Sequence, residues 1–354
     1  MNTVCKNREN SKTKKQGMHP AFRGIIAENF NLSHLSSFRV GGDASLFIEP
    51  FSQKALFYAF DFLKSIQSPF FILGGASNLV IADEGIPIPV LSMRSLRTIS
   101  LDSALSSTEE KNNQAEAKTL FLRCEAGASI SEIIDFCIAE GLSGLEQFAG
   151  LPGSIGGAVF MNARCYELSI SERLSQVRFI DCEKIENTEF CNAQSLFEDY
   201  FMNEADWDYK VSPFQNTKNC IVEVVLRVEK ADTQKVADNA AVYIADREKK
   251  GHFKYPSAGS VFKNNRNFGK PSGKIVDEAG LRGLQRGGAQ VAPWHGNFII
   301  NTGSATAKDI RYLVEEVQKS VKKQFGFDLE PEIIFSDNLI AELSHPYERI
   351  GDKN

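Results

Sequence analysis

The spacing of apolar residues along the chain predicts alternating helices and strands. Apolar residues recur three and four positions apart over residues 53–65, 129–140, 231–250 and 306–325, which is typical of helices with one buried face, and residues 273–279 form a shorter candidate. Short runs rich in β-branched and aromatic residues predict strands. These runs cover residues 70–73, 90–101, 121–125, 177–182, 220–228, 298–301 and 329–335, and another strand follows the Gly-Gly pair within residues 38–49. Because few connections have the pattern of parallel crossovers, the order favours an α+β fold.

Three polar stretches interrupt this pattern. Residues 1–17 are rich in lysine and lack an apolar core, which predicts a disordered tail rather than a signal peptide. Residues 103–118 are low in complexity, as in a hairpin tip or an insertion, and residues 183–219 show no clear period.

A chain of 354 residues is long enough for two or three domains. We place the domains at residues 21–95, 96–229 and 230–345, with tails at residues 1–20 and 346–354.

Charge and composition exclude several classes of function. The net charge of −5 argues against a general affinity for nucleic acid or for an acidic membrane surface. No window offers the roughly 18 uninterrupted apolar residues of a membrane-spanning helix. The seven cysteines are scattered without a Cys-x-x-Cys motif or a Cys/His cluster, which argues against a metal site. Reduced thiols are typical of a cytosolic protein.

Two glycine-dense blocks each lie beside an apolar strand. The first is Gly-Gly-Ala-Ser-Asn at residues 74–78, and the second covers residues 144–162 with five glycines. Small residues allow backbone N–H groups to surround an anion. Neither block has the spacing of an NTP-hydrolysing P-loop or of a Rossmann site. Ordinary turns would explain each block separately, whereas the two together favour a bound dinucleotide whose pyrophosphate takes N–H donors.

A third segment, Tyr-Pro-Ser-Ala-Gly-Ser-Val-Phe-Lys-Asn-Asn at residues 255–265, presents a hydroxyl directly after Ala-Gly. Gly259 permits a positive φ or a close backbone approach, and Val261 and Phe262 favour a buried strand. Ser260 would therefore stand at the entrance of a strand, with Lys263 and an amide nearby. A serine that bonds only its own turn is the alternative interpretation.

These segments resemble a known family of flavoenzymes. Residues 74–80 are similar to the pyrophosphate loop of the vanillyl-alcohol-oxidase-type FAD fold. Residues 144–163, 255–264, 272–291 and 329–333 resemble motifs of the UDP-N-acetylenolpyruvoylglucosamine reductase (MurB) family, and the resemblance runs from about residue 31 to residue 336. It implies a two-subdomain vanillyl-alcohol-oxidase/PCMH-type FAD-binding domain followed by a smaller α+β MurB C-terminal domain.

The resemblance also implies an activity. A member of this family would be a cytoplasmic oxidoreductase of peptidoglycan synthesis that holds FAD and uses NADPH as reductant. Hydride from reduced flavin would reach the alkene of UDP-N-acetyl-3-O-(1-carboxyvinyl)-glucosamine, and a proton from Ser260 would complete UDP-N-acetylmuramate. The implied partners are the UDP-sugar and NADPH, with no nucleic acid, membrane or metal, and a monomer is the simplest assembly.

The implied catalytic residues are Ser260, Lys210 and Glu332. The family has arginine in a Tyr-Arg-x-Ser-x-Phe pattern where this chain has Lys210, which keeps the charge but loses the planar fork that grips a carboxylate. Arg164 is a rival for this role, and an exposed strand lysine is the plain structural alternative. Motif position favours Glu332 over Glu330, although alternation along the predicted strand would place both on one face. The resemblance implies that this glutamate is protonated and polarises the substrate carboxylate. A simple ion pair at a strand edge is the alternative.

The resemblance further implies residues that bind the cofactor and the substrate. Expected cofactor contacts come from the Gly-Gly turn and from both glycine blocks: Arg39, Gly41, Gly74, Gly75, Ala76, Ser77, Asn78, Leu79, Gly150, Pro152, Gly153, Ser154, Gly156, Gly157 and Asn162. Expected substrate contacts are Lys263, Asn264 and Gln290. Surface amides that bond the local backbone are the alternative for Asn264 and Gln290.

Two other functions fit parts of the sequence. An FAD-dependent oxidase on the same fold would need only the glycine blocks, and fast oxygen consumption with a small alcohol would identify it. A flavin-binding relative without catalysis would fit the lysine at position 210. Tyr200 is a weak candidate for a tyrosine on a loop that closes over the substrate. The preference for NADPH over NADH comes from the resemblance alone.

Overall fold

The computed structural model describes residues 17–102, 119–187 and 196–344. Within these ranges the α-helices, in chain order, are α1 (Gln53–Ser65), α2 (Ile130–Glu140), α3 (Ile155–Phe160), α4 (Thr233–Lys249), α5 (Ser272–Glu278), α6 (Ala307–Phe325) and α7 (Ser336–Ser344). No helix among them is long and apolar enough to cross a membrane.

The strands of the same ranges pair into several sheets. In chain order they are β1 (Gly24–Asn31), β2 (Asp43–Pro50), β3 (Phe71–Leu73), β4 (Leu79–Val80), β5 (Ile86–Ser92), β6 (Ile99–Leu101), β7 (Thr119–Glu125), β8 (Leu142–Ser143), β9 (Arg164–Cys165), β10 (Leu168–Ser169), β11 (Leu174–Asp181), β12 (Phe197–Phe201), β13 (Asn219–Lys230), β14 (Gln285–Arg286), β15 (Ala289–Val291), β16 (Ile299–Asn301) and β17 (Ile334–Phe335).

The N-terminal part of the chain forms a four-stranded sheet in the order β1-β2-β5-β3, with parallel pairing of β2 and β3 to β5. The side chain of Ser52 begins α1 by accepting a hydrogen bond from the Ala55 N–H at 3.1 Å. The buried face of α1, which includes Leu56, Phe60 and Leu63, closes one side of this sheet. The first glycine block leaves the sheet directly after β3.

A six-stranded antiparallel sheet follows, in the order β12-β11-β13-β7-β6 with β8 beside β13. Ser129 and Glu132 form a capping box at the start of α2, and Gly141 ends the helix in a left-handed conformation. The buried side of α2 joins α3 and the inner face of the sheet in one apolar core. The second glycine block follows β8 and contains α3.

The C-terminal part packs α5 and α6 against the small sheet β14-β15-β16. The apolar stripe of α6 is fully buried there, and Thr306 caps the helix together with Asp309. β17 then returns to pair in parallel with β4, where Ile334 lies opposite Leu79. Because of this return, residues just before β17 lie beside the first glycine block.

The helices predicted from apolar spacing lie within about two residues of the observed ones. The strand predicted over residues 90–101 was wrong in extent, because a turn at Met93–Leu96 separates β5 from β6. The strand predicted over residues 329–335 was also wrong in extent. Pro331 lacks an N–H group, and the N–H groups of Glu332 and Ile333 both point to the Val261 carbonyl.

Strand β12 was missed, since its residues lie in the stretch without a clear period. Mixed sheets with interspersed helices confirm the α+β class. The predicted tail at residues 1–16, the insertion at 103–118, residues 188–195 and the C-terminal tail lie outside the described residues. The three domain boundaries stay predictions.

Candidate functional site

A single large cleft of about 3750 Å³ brings the two glycine blocks together with the Ser260 segment. Its lining includes the expected cofactor contacts of the first block and most of those of the second. The lining residues among all those predicted are Gly74, Gly75, Ala76, Ser77, Asn78, Leu79, Gly150, Pro152, Ser154, Gly156, Gly157, Asn162, Lys210, Ser260, Lys263, Asn264 and Glu332.

The two glycine blocks contact each other directly. The Gly75 N–H donates to the Ser154 hydroxyl at 3.1 Å, and the same hydroxyl caps the start of α3. A Cβ atom added to Gly75 would lie 2.5 Å from the Ser154 nitrogen and 2.6 Å from the Gly153 Cα. Glycine is therefore required at position 75 by the close approach of two backbones.

Asn162, at the end of the second block, is buried and fully engaged. Its side-chain amide donates to the Asp208 carbonyl at 2.8 Å, and its side-chain oxygen accepts from the Ser171 N–H at 3.3 Å. Asn162 thus anchors the loop that carries Lys210, although its position on the cleft wall also fits the predicted cofactor contact.

Lys210 and Glu332 form an ion pair in the cleft. The Lys210 Nζ lies 2.6 Å from the Glu332 Oε1, and their side chains are only 10% and 15% exposed. Lys210 has a left-handed backbone with φ of 60°, and its carbonyl accepts from the Gln215 amide. A lysine in this conformation is uncommon, which indicates that the surrounding loop fixes its direction.

Ser260 lies beside Glu332 through the backbone. The Glu332 N–H donates to the Val261 carbonyl at 2.7 Å, while the Glu332 carbonyl accepts from the Asn78 side chain at 2.8 Å. Gly259 has φ of 73°, and a Cβ atom there would meet open space. Ser260, half-buried, therefore reaches the same cleft as Lys210 and Glu332.

The two candidate glutamates lie in different surroundings, contrary to the expected common face. Glu330 pairs with Lys263 at 2.6 Å, and its side chain is 69% exposed. The irregular backbone around Pro331 removes the strand alternation on which that expectation rested. Glu332 is thus the glutamate that contacts the cation predicted to act in catalysis.

Arg164, the rival for the cationic role, also lines the cleft, but carboxylates hold it in place. Its guanidinium lies 3.3 Å from Glu167 and 3.5 Å from Glu172, and it donates to Ser169 at 3.0 Å. These contacts leave Lys210 as the cation that meets Glu332.

The structure does not bring four predicted contacts to the cleft: Arg39, Gly41, Gly153 and Gln290. Arg39 is exposed on a left-handed turn, and Gly41 packs against Ile81, where a Cβ atom would lie 2.6 Å from the Ile81 Cβ. Gly153 packs against the Ser77 side chain. The Gln290 amide donates to the Gly283 carbonyl at 3.3 Å within its own small sheet. The cleft lining does not support these four contacts, which stay predictions.

Tyr200 is not placed on a loop over the cleft. It lies in β12, and its hydroxyl donates to Asp206 at 2.8 Å and accepts from the Trp207 indole at 2.9 Å. Burial, together with the bond to Asp206, raises the pKa of this phenol. The role of a closing tyrosine is therefore not supported for Tyr200.

Sequence reasoning missed a second polar group in the cleft, formed by Arg247, His252, Cys165 and Tyr166. Arg247 is 7% exposed and contacts the Cys165 thiol at 3.1 Å. Burial, aided by the Arg247 charge, lowers the pKa of His252 from 6.5 to about 4. A basic residue in the last turn of a helix is normally exposed, so the sequence offered no signal of this burial.

Comparisons with known proteins place these features in context. Residues 251–336 match the family model described as the C-terminal domain of UDP-N-acetylenolpyruvoylglucosamine reductase. A protein of that name from Treponema denticola is 43% identical over 90% of this chain and 95% of its own length. Its counterpart from Treponema pallidum is 38% identical over 91% and 96%. The crystal structure of the reductase (MurB) from Thermus caldophilus is 27% identical, covers 88% of this chain and 98% of its own, and has a TM-score of 0.66.

Proposed function

The chain belongs to the UDP-N-acetylenolpyruvoylglucosamine reductase family, and we propose how its cleft serves the reaction of that family. It is an FAD-dependent oxidoreductase that uses NADPH to reduce UDP-N-acetyl-3-O-(1-carboxyvinyl)-glucosamine to UDP-N-acetylmuramate for peptidoglycan synthesis. The observation that carries the proposal for the site is the Lys210–Glu332 ion pair beside Ser260 in a cleft walled by both glycine blocks.

The cleft fits an FAD molecule together with a second nucleotide. A volume of about 3750 Å³ far exceeds the roughly 300–1,000 Å³ typical of a single small-ligand pocket. Glycine, alanine and serine residues of the two blocks line its wall. In this proposal residues 74–79 and the lining residues of the second block hold the cofactor, and Lys263 and Asn264 contact the sugar nucleotide. Bound FAD supplies the hydride-transfer chemistry that connects NADPH to the substrate alkene.

Lys210 is proposed to stabilise the negative charge that develops on the carboxylate side of the alkene. A cation that is held before the reaction in a site largely shielded from water stabilises the developing charge effectively, because little reorganisation is needed when the charge forms. Glu332 holds the ammonium in place, and its own backbone is bonded to Val261 and Asn78. The lysine thus acts as a point charge whose direction is set by its partner rather than by a planar fork.

Ser260 is proposed to donate the proton that completes the product. A serine hydroxyl is a weak acid, so its contribution depends on position close to the reacting carbon. The left-handed Gly259, directly before Ser260, borders open space in the cleft. The neighbouring Glu332 backbone contact to Val261 fixes Ser260 relative to the ion pair.

We also propose a cytoplasmic monomer. A monomer is proposed as the simplest assembly. The described cysteines Cys124, Cys137, Cys165, Cys182 and Cys220 are all free thiols, as expected in a reducing compartment. Light scattering of the purified protein checks the monomer, and cell fractionation checks the compartment.

Separate measurement of the two half-reactions tests the proposed site. In Ser260→Ala, anaerobic reduction of the flavin by NADPH should proceed at the wild-type rate, while reoxidation by the enolpyruvyl sugar nucleotide should slow by about 10²–10⁴-fold. Ser304→Ala, an exposed serine outside the cleft lining, is the matched control. Equal losses in both half-reactions of Ser260→Ala would contradict the role of a proton donor.

A further inference from the structure

Arg247 is a buried cation without an anionic partner. The residue is 7% exposed, and its Nε atom has no hydrogen-bond acceptor among the described residues. Across the same residues, no carboxylate oxygen lies within 4.0 Å of its nitrogens. The contacts it does make are an Nη2 donation to the Cys165 sulfur at 3.1 Å and a position 5.8 Å from the centre of the Tyr166 ring.

These contacts do not neutralise the charge. Burial raises the pKa of the Cys165 thiol even though Arg247 and Lys210 favour its ionised form, so the sulfur remains a weak, neutral acceptor. His252 is neutral, since burial and the Arg247 charge lower its pKa to about 4. The adjacent carboxylate of Asp246 is bonded to Lys250 at 2.6 Å and to Tyr166 at 2.7 Å. An uncompensated buried guanidinium costs several kcal/mol, which indicates a ligand that supplies the missing negative charge.

The position of Arg247 identifies the part of the cleft where that ligand lies. A Cβ atom added to Gly150, in the second glycine block, would lie 2.9 Å from the Arg247 Cδ. Arg247 and Cys165 line the same cleft as Lys210 and Glu332. Arg247 therefore lies in the region of the proposed catalytic residues and contacts the second glycine block.

We propose that Arg247 binds the pyrimidine edge of the flavin ring and stabilises the reduced, anionic state of the cofactor; this inference rests on the proposed function. Bound FAD that accepted a hydride from NADPH, with NADP⁺ leaving, would carry one additional negative charge unless a proton followed. That charge resides on the nitrogen and carbonyl oxygen of the pyrimidine edge. A guanidinium offers two parallel N–H groups to such a pair of acceptors.

The test compares how strongly the protein binds the two redox states of FAD. Variants Arg247→Gln and Arg247→Lys are prepared with the control Arg286→Gln, an exposed arginine on β14 outside the cleft lining. Fluorescence titration gives the FAD dissociation constant, and equilibration with a reference dye gives the midpoint potential. In Arg247→Gln the preference for reduced over oxidised FAD should fall roughly tenfold, which lowers the potential by about 30 mV for two electrons. Arg247→Lys should retain that preference within about threefold, and Arg286→Gln should match the wild type.

The outcomes separate this inference from the proposed function. A wild-type protein that does not bind FAD would overturn the function itself. A normal wild type with an unchanged potential in Arg247→Gln would overturn only the inference. A weaker but redox-independent affinity would also overturn it, because the contact would then be with a group whose charge does not change on reduction.

A second measurement applies even if Arg247→Gln cannot hold FAD. Arg247→Met removes the buried charge and keeps an apolar chain of similar length, so the FAD-free variant should unfold at an equal or higher urea concentration than the FAD-free wild type. The increase in midpoint on adding FAD should be smaller for the variant. A clear decrease in midpoint of the FAD-free variant would show that Arg247 is a structural residue with satisfied partners, and would overturn the inference.

Discussion

Removal of the Lys210 charge should lower the free energy of unfolding far more than removal of the Lys263 charge, although both lysines form ion pairs at the same cleft. In both pairs the nitrogen–oxygen distance is 2.6 Å. The Lys210 and Glu332 side chains are 10% and 15% exposed, whereas those of Lys263 and Glu330 are 25% and 69% exposed. The two pairs therefore differ mainly in their access to water.

The magnitudes follow from this difference. At 2.6 Å and an effective dielectric constant of about 20, two unit charges attract by roughly 6 kcal/mol, of which desolvation cancels a large part. We expect a net coupling of about 2–3 kcal/mol between Lys210 and Glu332, within the range measured for close, desolvated pairs. Lys210→Met alone should destabilise the protein by about 3 kcal/mol, because Glu332 keeps an unpaired charge. The Lys263–Glu330 coupling should be below about 1 kcal/mol.

Two assays measure these effects. Urea unfolding of the FAD-free protein at pH 7 compares a double-mutant cycle of Lys210→Met and Glu332→Gln with a matched cycle of Lys263→Met and Glu330→Gln. Stopped-flow reoxidation of the reduced flavin by the sugar nucleotide then measures catalysis. Lys210→Met should slow this step by about 10²–10³-fold, whereas Glu330→Gln should leave it nearly unchanged.

Either assay can refute the reasoning. Equal coupling energies in the two cycles would mean that the Lys210–Glu332 pair is as well solvated as the surface pair. Normal reoxidation by Lys210→Met would remove Lys210 from the mechanism. A large loss in Arg164→Ala would in that case move the cationic role to Arg164, despite its contacts with Glu167 and Glu172.

Two further predictions concern the cleft wall. Gly75→Ala should purify with little FAD, because the added Cβ atom would push the two glycine blocks apart; an unchanged flavin absorbance per protein would contradict this. The folded protein keeps His252 neutral down to about pH 4, while the unfolded chain binds a proton below about pH 6.5. Stability should therefore fall as the pH decreases from about 6.5 to about 4 and then level off. The urea midpoint should decline less steeply over this range in His252→Gln, and identical slopes in both proteins would rule out the linkage.

Local signals in the sequence predicted much of the fold. The Ser129 cap, its Glu132 partner and Gly141 are all near neighbours in sequence, so the bounds of α2 follow from short-range chemistry. The same holds for α6, with its Thr306 cap and regular apolar stripe. The strand predicted over residues 329–335 was wrong in extent for an equally local reason, since a proline interrupts an otherwise strand-like run.

The site depends on contacts that local signals do not contain. Motif resemblance selected Lys210 and Glu332, but their ion pair forms only because β17 returns to β4 beside the first glycine block. Arg247 falls near the end of the helix predicted over residues 231–250, where basic residues are common and usually face water. Only the tertiary structure shows that the second glycine block covers it.

A lysine at position 210, where the family resemblance implies an arginine, is understandable from how the site is anchored. A lysine side chain is flexible and carries no preset fork, so its charge can be placed accurately only if other groups restrain it. Here Asn162 holds the Asp208 carbonyl two residues earlier, and Glu332 holds the ammonium. Asn78 in turn holds the backbone of Glu332. Each glycine block thus restrains one member of the pair, and binding of a cofactor between the blocks would act on the position of the cation as well. The restraint that an arginine would carry in its own shape is supplied in this chain by the walls of the cleft.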